Sequence, residues 1–243
     1  MIPACRISRI LIRSLTLAVI AGCLAGCGGS NHSQIKFVHA YAAPDASTVD
    51  ALVDGSTVVS GLAFDSYSSY QTVNPGNHDI EIRPTGTAND LVNAPNVNFF
   101  GHAQYTIFFT GQTGAKNQTI NPVNDDNSPP SSGNVKLRFF QAATSVVPVC
   151  QPENSSCMDL YVVAPGTDIT TVTPTIPRLV FQQVTNYVTR AAGSYEIIWT
   201  ANGSKSPLID QTFALTAGQI RTLVAMDNPS GPSLLLLEVA DLN

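Results

Sequence analysis

The chain is 243 residues long, with a formal net charge of −5, 44% hydrophobic side chains and only 12% charged ones. Its acidic balance repels polyanions and excludes nucleic-acid binding through a basic face, while the apolar content excludes an intrinsically disordered chain.

The amino-terminal stretch reads as an export signal. Arg6, Arg9 and Arg13 make a positive head, and Ser14 to Gly26 form an apolar run too short to cross a bilayer comfortably. At its end Leu24-Ala25-Gly26-Cys27 resembles the bacterial lipobox, in which a peptidase cuts ahead of a cysteine whose thiol has received diacylglycerol. Ile20-Ala21-Gly22-Cys23 also fits, so Cys23 is the alternative, and an ordinary signal peptide with incidental cysteines is the plain rival. Cys27 is preferred because leucine stands three places before the cut and a flexible Gly28-Gly29-Ser30-Asn31 tether starts just after it. Buried acyl methylenes contribute about 0.8 kcal/mol each, so a multiply acylated cysteine would hold the chain on a membrane durably. Once the three leader arginines are removed, 9 bases face 17 acids, a net of −8.

Beyond the tether the chain repeats itself. Ile35-Lys36-Phe37-Val38-His39-Ala40 matches Leu137-Arg138-Phe139-Phe140-Gln141-Ala142 in apolar and basic character. Leu62 to Thr87 then runs without a gap alongside Leu179 to Ser204, pairing Tyr70 with Tyr187, Gly76 with Gly193, Ile80 with Ile197 and Gly86 with Gly203. The Pro/Ser/Gly-rich stretch between the copies has the character of a linker. The expected layout is a signal peptide over 1–26, a lipidated tether over 27–34, repeat 1 over 35–126, a linker over 127–134 and repeat 2 over 135–243. Asp125-Asp126-Asn127 is expected to be a solvated start to that linker. Repeat 1 is expected near the membrane, with repeat 2 presented beyond it.

Each copy reads as β structure. Ile80 and Ile82 alternate with charged residues, Tyr105, Ile107 and Phe109 with Thr106 and Thr110, and Tyr195, Ile197 and Trp199 with Glu196 and Thr200. Val53-Asp54-Gly55-Ser56 carries a type I′ hairpin signal, because glycine accepts the positive φ required there. Asn74-Pro75-Gly76-Asn77 supplies another turn. No stretch sustains a 3.6-residue period. The expected fold is all-β, two tandem antiparallel β-sandwiches of about seven strands each, immunoglobulin-like or prealbumin-like.

Cys150 and Cys157, separated by six polar, turn-forming residues, read as a disulfide closing a small loop in an oxidising compartment. A metal or redox site would need further ligands or C-x-x-C spacing.

Phe37 to Gly55 (FVHAYAAPDASTVDALVDG) followed by Tyr70 to Gly86 (YQTVNPGNHDIEIRPTG) resembles the bacterial family called domain of unknown function 4397. The second copy keeps Asp159, Gly166, Tyr187 and Gly193 but replaces the Pro-Asp-Ala segment. The resemblance implies exported, surface-associated β modules in tandem, and it brings no established activity.

Candidate chemistry is sparse. His39, His78 and His102 with Asp45, Asp50, Asp54 and Asp65 could suggest a metal in repeat 1, yet the duplication sets His39 against Gln141, His78 against Tyr195 and His102 against Ala217. Asp50 reads as a strand-end residue that accepts backbone donors. No nucleophile elbow, zinc motif or phosphate loop is present, which argues against an enzyme and against a cofactor. Tyr67, Tyr70, Phe108 and Trp199 could make a sugar-stacking platform, but burial explains them equally. The loops Ala42 to Thr48 and Ser145 to Ser156, with Pro44, Asp45, Pro152 and Glu153, are the candidate interaction surfaces. The sequence reading is therefore a lipid-anchored, extracytoplasmic, non-catalytic binding or structural module of the bacterial envelope. Its partners would be the membrane and either envelope proteins or polysaccharide. A glycan-binding adhesin or a metal-dependent carrier using repeat 1 is the alternative.

Overall fold

A computed structural model describes residues 31–112, 117–152, 154–230 and 233–242. Cys23, Cys27 and the whole export signal lie outside the described residues. Repeat 1 contributes β1 (Ser33–His39), β2 (Thr48–Val53), β3 (Ser56–Ala63), β4 (Ser66–Tyr67), β5 (Gln71–Val73), β6 (Gly76–Pro84), β7 (Val92–Phe99), β8 (Gln104–Thr110) and β9 (Thr119–Asn124). Repeat 2 contributes β10 (Asn134–Ala142), β11 (Val149–Cys150), β12 (Ser155–Val163), β13 (Ile176–Val180), β14 (Val188–Ala191), β15 (Gly193–Ala201), β16 (Pro207–Leu215), β17 (Ile220–Asp227) and β18 (Leu234–Leu242).

Each repeat is a sandwich of two sheets. In repeat 1 the sheets run β4-β1-β8-β9, with β5 also on β1, and β3-β2-β6-β7. In repeat 2 they run β14-β10-β17-β18 and β11-β12-β15-β16, with β13 also on β12. The sheets are mixed rather than wholly antiparallel: β1 pairs β8 and β10 pairs β17 in parallel. The turn at Asp54 and Gly55 takes φ of 50° and 74°, the two positive values a type I′ hairpin requires.

Why the parallel strands tolerate burial is visible in their sequences. β1, β8, β10 and β17 are buried on nearly every residue, so they carry apolar side chains on both faces, as strands covered on two sides do. One face meets the outer sheet of its own sandwich: Phe37, Ile107 and Phe109 pack with Val49, Ala51, Ile80 and Ile82. Leu137, Phe139 and Leu223 pack with Leu160, Ile197 and Trp199 in the same way. The other face meets the opposite repeat, where Val38, Ala40 and Phe108 lie against Phe140, Ala142, Val224 and Met226. Phe108 and Phe140 stack with ring centroids 4.1 Å apart and planes 6° from parallel.

The alternation of Thr106 and Thr110 with apolar neighbours therefore does not separate solvent from core. Both threonines are fully buried. Outer strands behave as the pattern suggests: in β6, Ile80 and Ile82 are buried while Asp79 is exposed and Glu81 and Arg83 are half-buried.

The two sandwiches form one compact unit rather than an end-to-end array. Two tie points fix their relative direction. Lys36, early in β1, bonds Asp241 at the end of β18, and Thr110, at the end of β8, accepts from Gln182 beside the end of β10. The starts of β1 and β10 thus share one end of the molecule, and the loops after them share the other. The expected stacking of repeat 2 beyond repeat 1 is corrected accordingly, because the apolar second faces of β1, β8, β10 and β17 can be buried only side by side.

Candidate functional site

The largest concentration of buried charge lies where the inner sheets meet, and it is built twice. Lys36 and Arg138 occupy equivalent places in β1 and β10, each directly beside a threonine of the parallel neighbour, Thr106 and Thr222. Each basic residue reaches across to the other repeat. Lys36 Nζ donates to Asp241 Oδ1 at 2.6 Å and to the Ala240 carbonyl at 3.2 Å. Arg138 Nη2 donates to Asp125 Oδ1 at 2.6 Å, Nη1 to the Asn124 carbonyl at 3.2 Å, and Nε to Thr222 Oγ1 at 2.9 Å.

The acids are completed from their own repeats. Asp125 accepts Tyr70 Oη at 2.6 Å and Thr106 Oγ1 at 2.8 Å, and Asp241 accepts Thr222 Oγ1 at 2.6 Å and Tyr187 Oη at 3.1 Å. Tyr70 and Tyr187 also cover Lys36 and Arg138 with their ring faces, at 4.9 and 4.7 Å. Burial beside carboxylates pushes both phenols well above the usual tyrosine range, so both stay protonated and donate to the acids, while Tyr70 Oη also accepts Asn127 Nδ2 at 2.9 Å. Arg138 remains a cation because Asp125 and Asp241 offset its desolvation. Asp125 is therefore no solvated linker residue: its side chain is fully buried in an ion pair. The neighbouring segment is held too, with Lys136 Nζ on the Asp126 and Ser128 carbonyls at 2.7 and 3.0 Å. The Asp126 carboxylate lies 2.7 Å from the same nitrogen and titrates down at about 2, chiefly through that contact.

Sequence reasoning missed this network, although one signal was present. A basic residue inside an otherwise apolar strand recurs at the same place in both copies, and such residues persist only when paired. A groove of about 380 Å³ opens beside the network, lined among others by Asn124, Asp126, Arg138, Asn186 and Tyr187. Arg138's bonds to Thr222, Asn124 and Asp125 are internal to the protein.

The duplication explains the histidines residue by residue. His39 is buried, its Nδ1 accepts the Tyr41 amide and its Nε2 donates to the Ala46 carbonyl at 2.6 Å, which selects the neutral Nε2–H tautomer. Gln141 repeats both bonds, accepting the Ala143 amide and donating to the Ser156 carbonyl. Desolvation lowers the His39 pKa from 6.5 to about 4. His78 Nε2 bonds the carbonyl of Asn74 four residues back, and Tyr195 Oη bonds Ala191 four residues back, both at 2.8 Å. His102 is correctly paired with Gly218 rather than Ala217, since strand register sets Lys36 against Thr106 and Arg138 against Thr222. Both residues take positive φ in equivalent turns, 61° and 93°.

The aspartates are equally accounted for. Asp50 accepts Ser60 Oγ and the Gly61 and Gly86 amides, while Asp159 accepts the Arg178 and Gly203 amides and Asn202 Nδ2. Asp54 accepts the Asp79 amide and lies 2.7 Å from His78 Nδ1. Asp45 sits on an exposed single 3₁₀ turn with Pro44, and Asp65 is exposed in a turn at positive φ. Among the described residues no three His, Cys, Asp or Glu side chains are grouped to hold a metal.

Cys150 and Cys157 are joined by a disulfide across the β11–β12 hairpin, with Cα atoms 6.0 Å apart. Pro152 is exposed at its tip, and Glu153 lies outside the described residues. This hairpin and the Pro44–Asp45 loop follow β10 and β1, so both candidate loops open at the same end of the molecule. There a depression of about 390 Å³ is lined by Asp45, Asp90, Leu91 and Gln118. The four aromatics do not assemble: Phe108 and Trp199 are buried in separate cores, Tyr70 is tied to Asp125, and Tyr67 is 37% exposed.

A family model described as Domain of unknown function (DUF4397) matches residues 33–149 and again 155–242. No curated protein matches the chain. Among solved structures, CBMbc (family CBM26) from Eubacterium rectale Amy13K in complex with maltoheptaose superposes with a TM-score of 0.30 and 9% identity, over 86% of this chain and 97% of that one. A leucine-rich repeat protein from Bacteroides thetaiotaomicron does so with a TM-score of 0.22 and 14% identity, over 79% of this chain and 25% of that one. At that degree of superposition neither speaks to function.

Proposed function

The chain belongs to the DUF4397 family as two copies of its domain, and from that premise we propose that it is a lipid-anchored, extracytoplasmic, non-catalytic binding or structural module of the bacterial cell envelope. The observation that carries this reading is the shared direction of the two repeats. The described chain enters at Asn31, at the end where β1 and β10 begin, while the Pro44–Asp45 and Cys150–Cys157 loops open together at the opposite end. A body tethered by Cys27 through Gly28-Gly29-Ser30 would carry both loops away from the membrane. Loops on a rigid scaffold are where binding surfaces concentrate.

Two further features support the reading. The buried cations at the junction, Lys36 and Arg138, are each paired with an aspartate of the other repeat. The disulfide suits an oxidising, extracytoplasmic compartment.

Intact mass of the native protein extracted in detergent, beside Cys27→Ala and Cys23→Ala, tests the anchor. An acylated mass lost only in Cys27→Ala is the expected result. An unacylated wild-type mass overturns the anchor, and loss only in Cys23→Ala moves it.

A further inference from the structure

Phe100 is the most exposed large hydrophobic side chain described, at 71%, and it sits at the tip of the β7–β8 turn. That turn is stitched to the point where the chain enters the fold. Ser33 Oγ donates to the Phe100 carbonyl at 2.7 Å, and the His102 amide donates to the His32 carbonyl at 2.9 Å. Gly101 packs so closely on Asn31 that a Cβ there would overlap the Asn31 side chain.

We propose that Phe100 is a second membrane contact, its ring inserted at the boundary between headgroups and acyl chains of the bilayer that holds the Cys27 anchor. The inference rests on the lipid anchor proposed above. Cys27 and Asn31 are separated by four residue steps, which span at most about 14 Å, so the turn beside Asn31 cannot stand far from the surface. Insertion of a loop tip is opposed mainly by stripping water from backbone polar groups. At Phe100 that opposition is already met: its amide donates to Tyr105 Oη at 3.1 Å, and its carbonyl accepts Ser33 Oγ. What remains outward is the ring.

Repeat 2 provides the contrast. Phe99 corresponds to Leu215, and both are buried, but the place of Phe100 is taken by Thr216. The apolar tip thus occurs on the copy that the tether enters. The same end of repeat 1 carries Asp54 and Asp79, which favour a zwitterionic surface over an anionic one.

The test uses the full acylated chain with Phe100→Trp in phosphatidylcholine vesicles whose acyl chains are brominated near the headgroup. Native Trp199 is fully buried in repeat 2 and supplies a constant background. Val149→Trp, exposed at the opposite end, is the comparison. The expected result is a blue shift and loss of most of the added emission for Phe100→Trp, with neither for Val149→Trp. Equal, unquenched emission from both overturns the contact while leaving an acylated mass, and with it the anchor, intact. If the mass lacks acyl chains, the anchor reading fails by itself. The same variant, held on nickel-chelating lipid by a histidine tag replacing residues up to 27, then reads Phe100 alone, and absence of quenching there overturns the contact.

Discussion

Two pairs of repeated aspartates, one at the junction between the copies and one on the outer sheets, act in opposite ways. Asp125 and Asp241 are sealed between the repeats, each facing a cation contributed by the other copy. Asp50 and Asp159 stand on β2 and β12 and bind backbone amides of their own repeat, including the equivalent Gly86 and Gly203. The first pair joins two domains and the second shapes one. A duplicated sequence therefore carries two kinds of repeated polar residue, and only the first kind reports quaternary-like packing within the chain.

The largest expected effect comes from breaking a buried pair. Asp241→Ala strands Lys36, whose side chain is 2% exposed, and should cost about 3–5 kcal/mol in urea unfolding. Lys36→Met with Asp241→Leu should recover most of that loss; equal destabilisation by single and double variants would show that the ion pair is not the junction's organising contact.

Next in size is acid sensitivity at His39. Its folded pKa, about 4, lies below the unfolded 6.5, so its contribution is complete above pH 6.5 and is lost as pH falls from there to about 4. That loss is of the order of 3 kcal/mol. His39→Gln, which copies the bonds made by Gln141, should fold at neutral pH and remove this component between pH 6.5 and 4 when melts are compared with wild type. A slope unchanged by the substitution would assign the acid sensitivity elsewhere.

Opening the hairpin by Cys150→Ser with Cys157→Ala should cost about 2–3 kcal/mol, and reductant should lower the wild-type midpoint comparably. Smallest is Asp50→Asn: the amide keeps one acceptor oxygen but sets a donor against either the Gly61 or the Gly86 N–H, and the loss should be about 1 kcal/mol. A loss as large as that of Asp241→Ala would erase the distinction between inner and outer aspartates.

Much of this fold is legible in the chain. The copies announce themselves through matched apolar and basic positions, Asp54-Gly55 specifies its own turn through φ, and the cysteine spacing fits a hairpin. Asp50 and Asp159 are readable because one copy tests the other. The junction is harder for a physical reason: strand alternation shows that two faces differ, but not whether the second face meets water or protein. Thr106 and Thr110 look like solvent-facing residues and instead line the inter-repeat layer. Asp125 lies at the edge of a Pro/Ser-rich stretch, so its composition points to solvent although its partner is Arg138, thirteen residues on. The direction of the repeats depends on contacts such as Lys36 with Asp241, too distant in sequence for local pattern to reveal.

Scanning calorimetry of the purified protein asks most directly whether the two repeats are one body. A single transition whose calorimetric and van't Hoff enthalpies agree is the expected result, because neither inner sheet can be exposed without breaking Lys36–Asp241, Arg138–Asp125 and the Phe108–Phe140 stack. Two separable transitions, one for each copy, would contradict it and return the molecule to a pair of independently folded sandwiches.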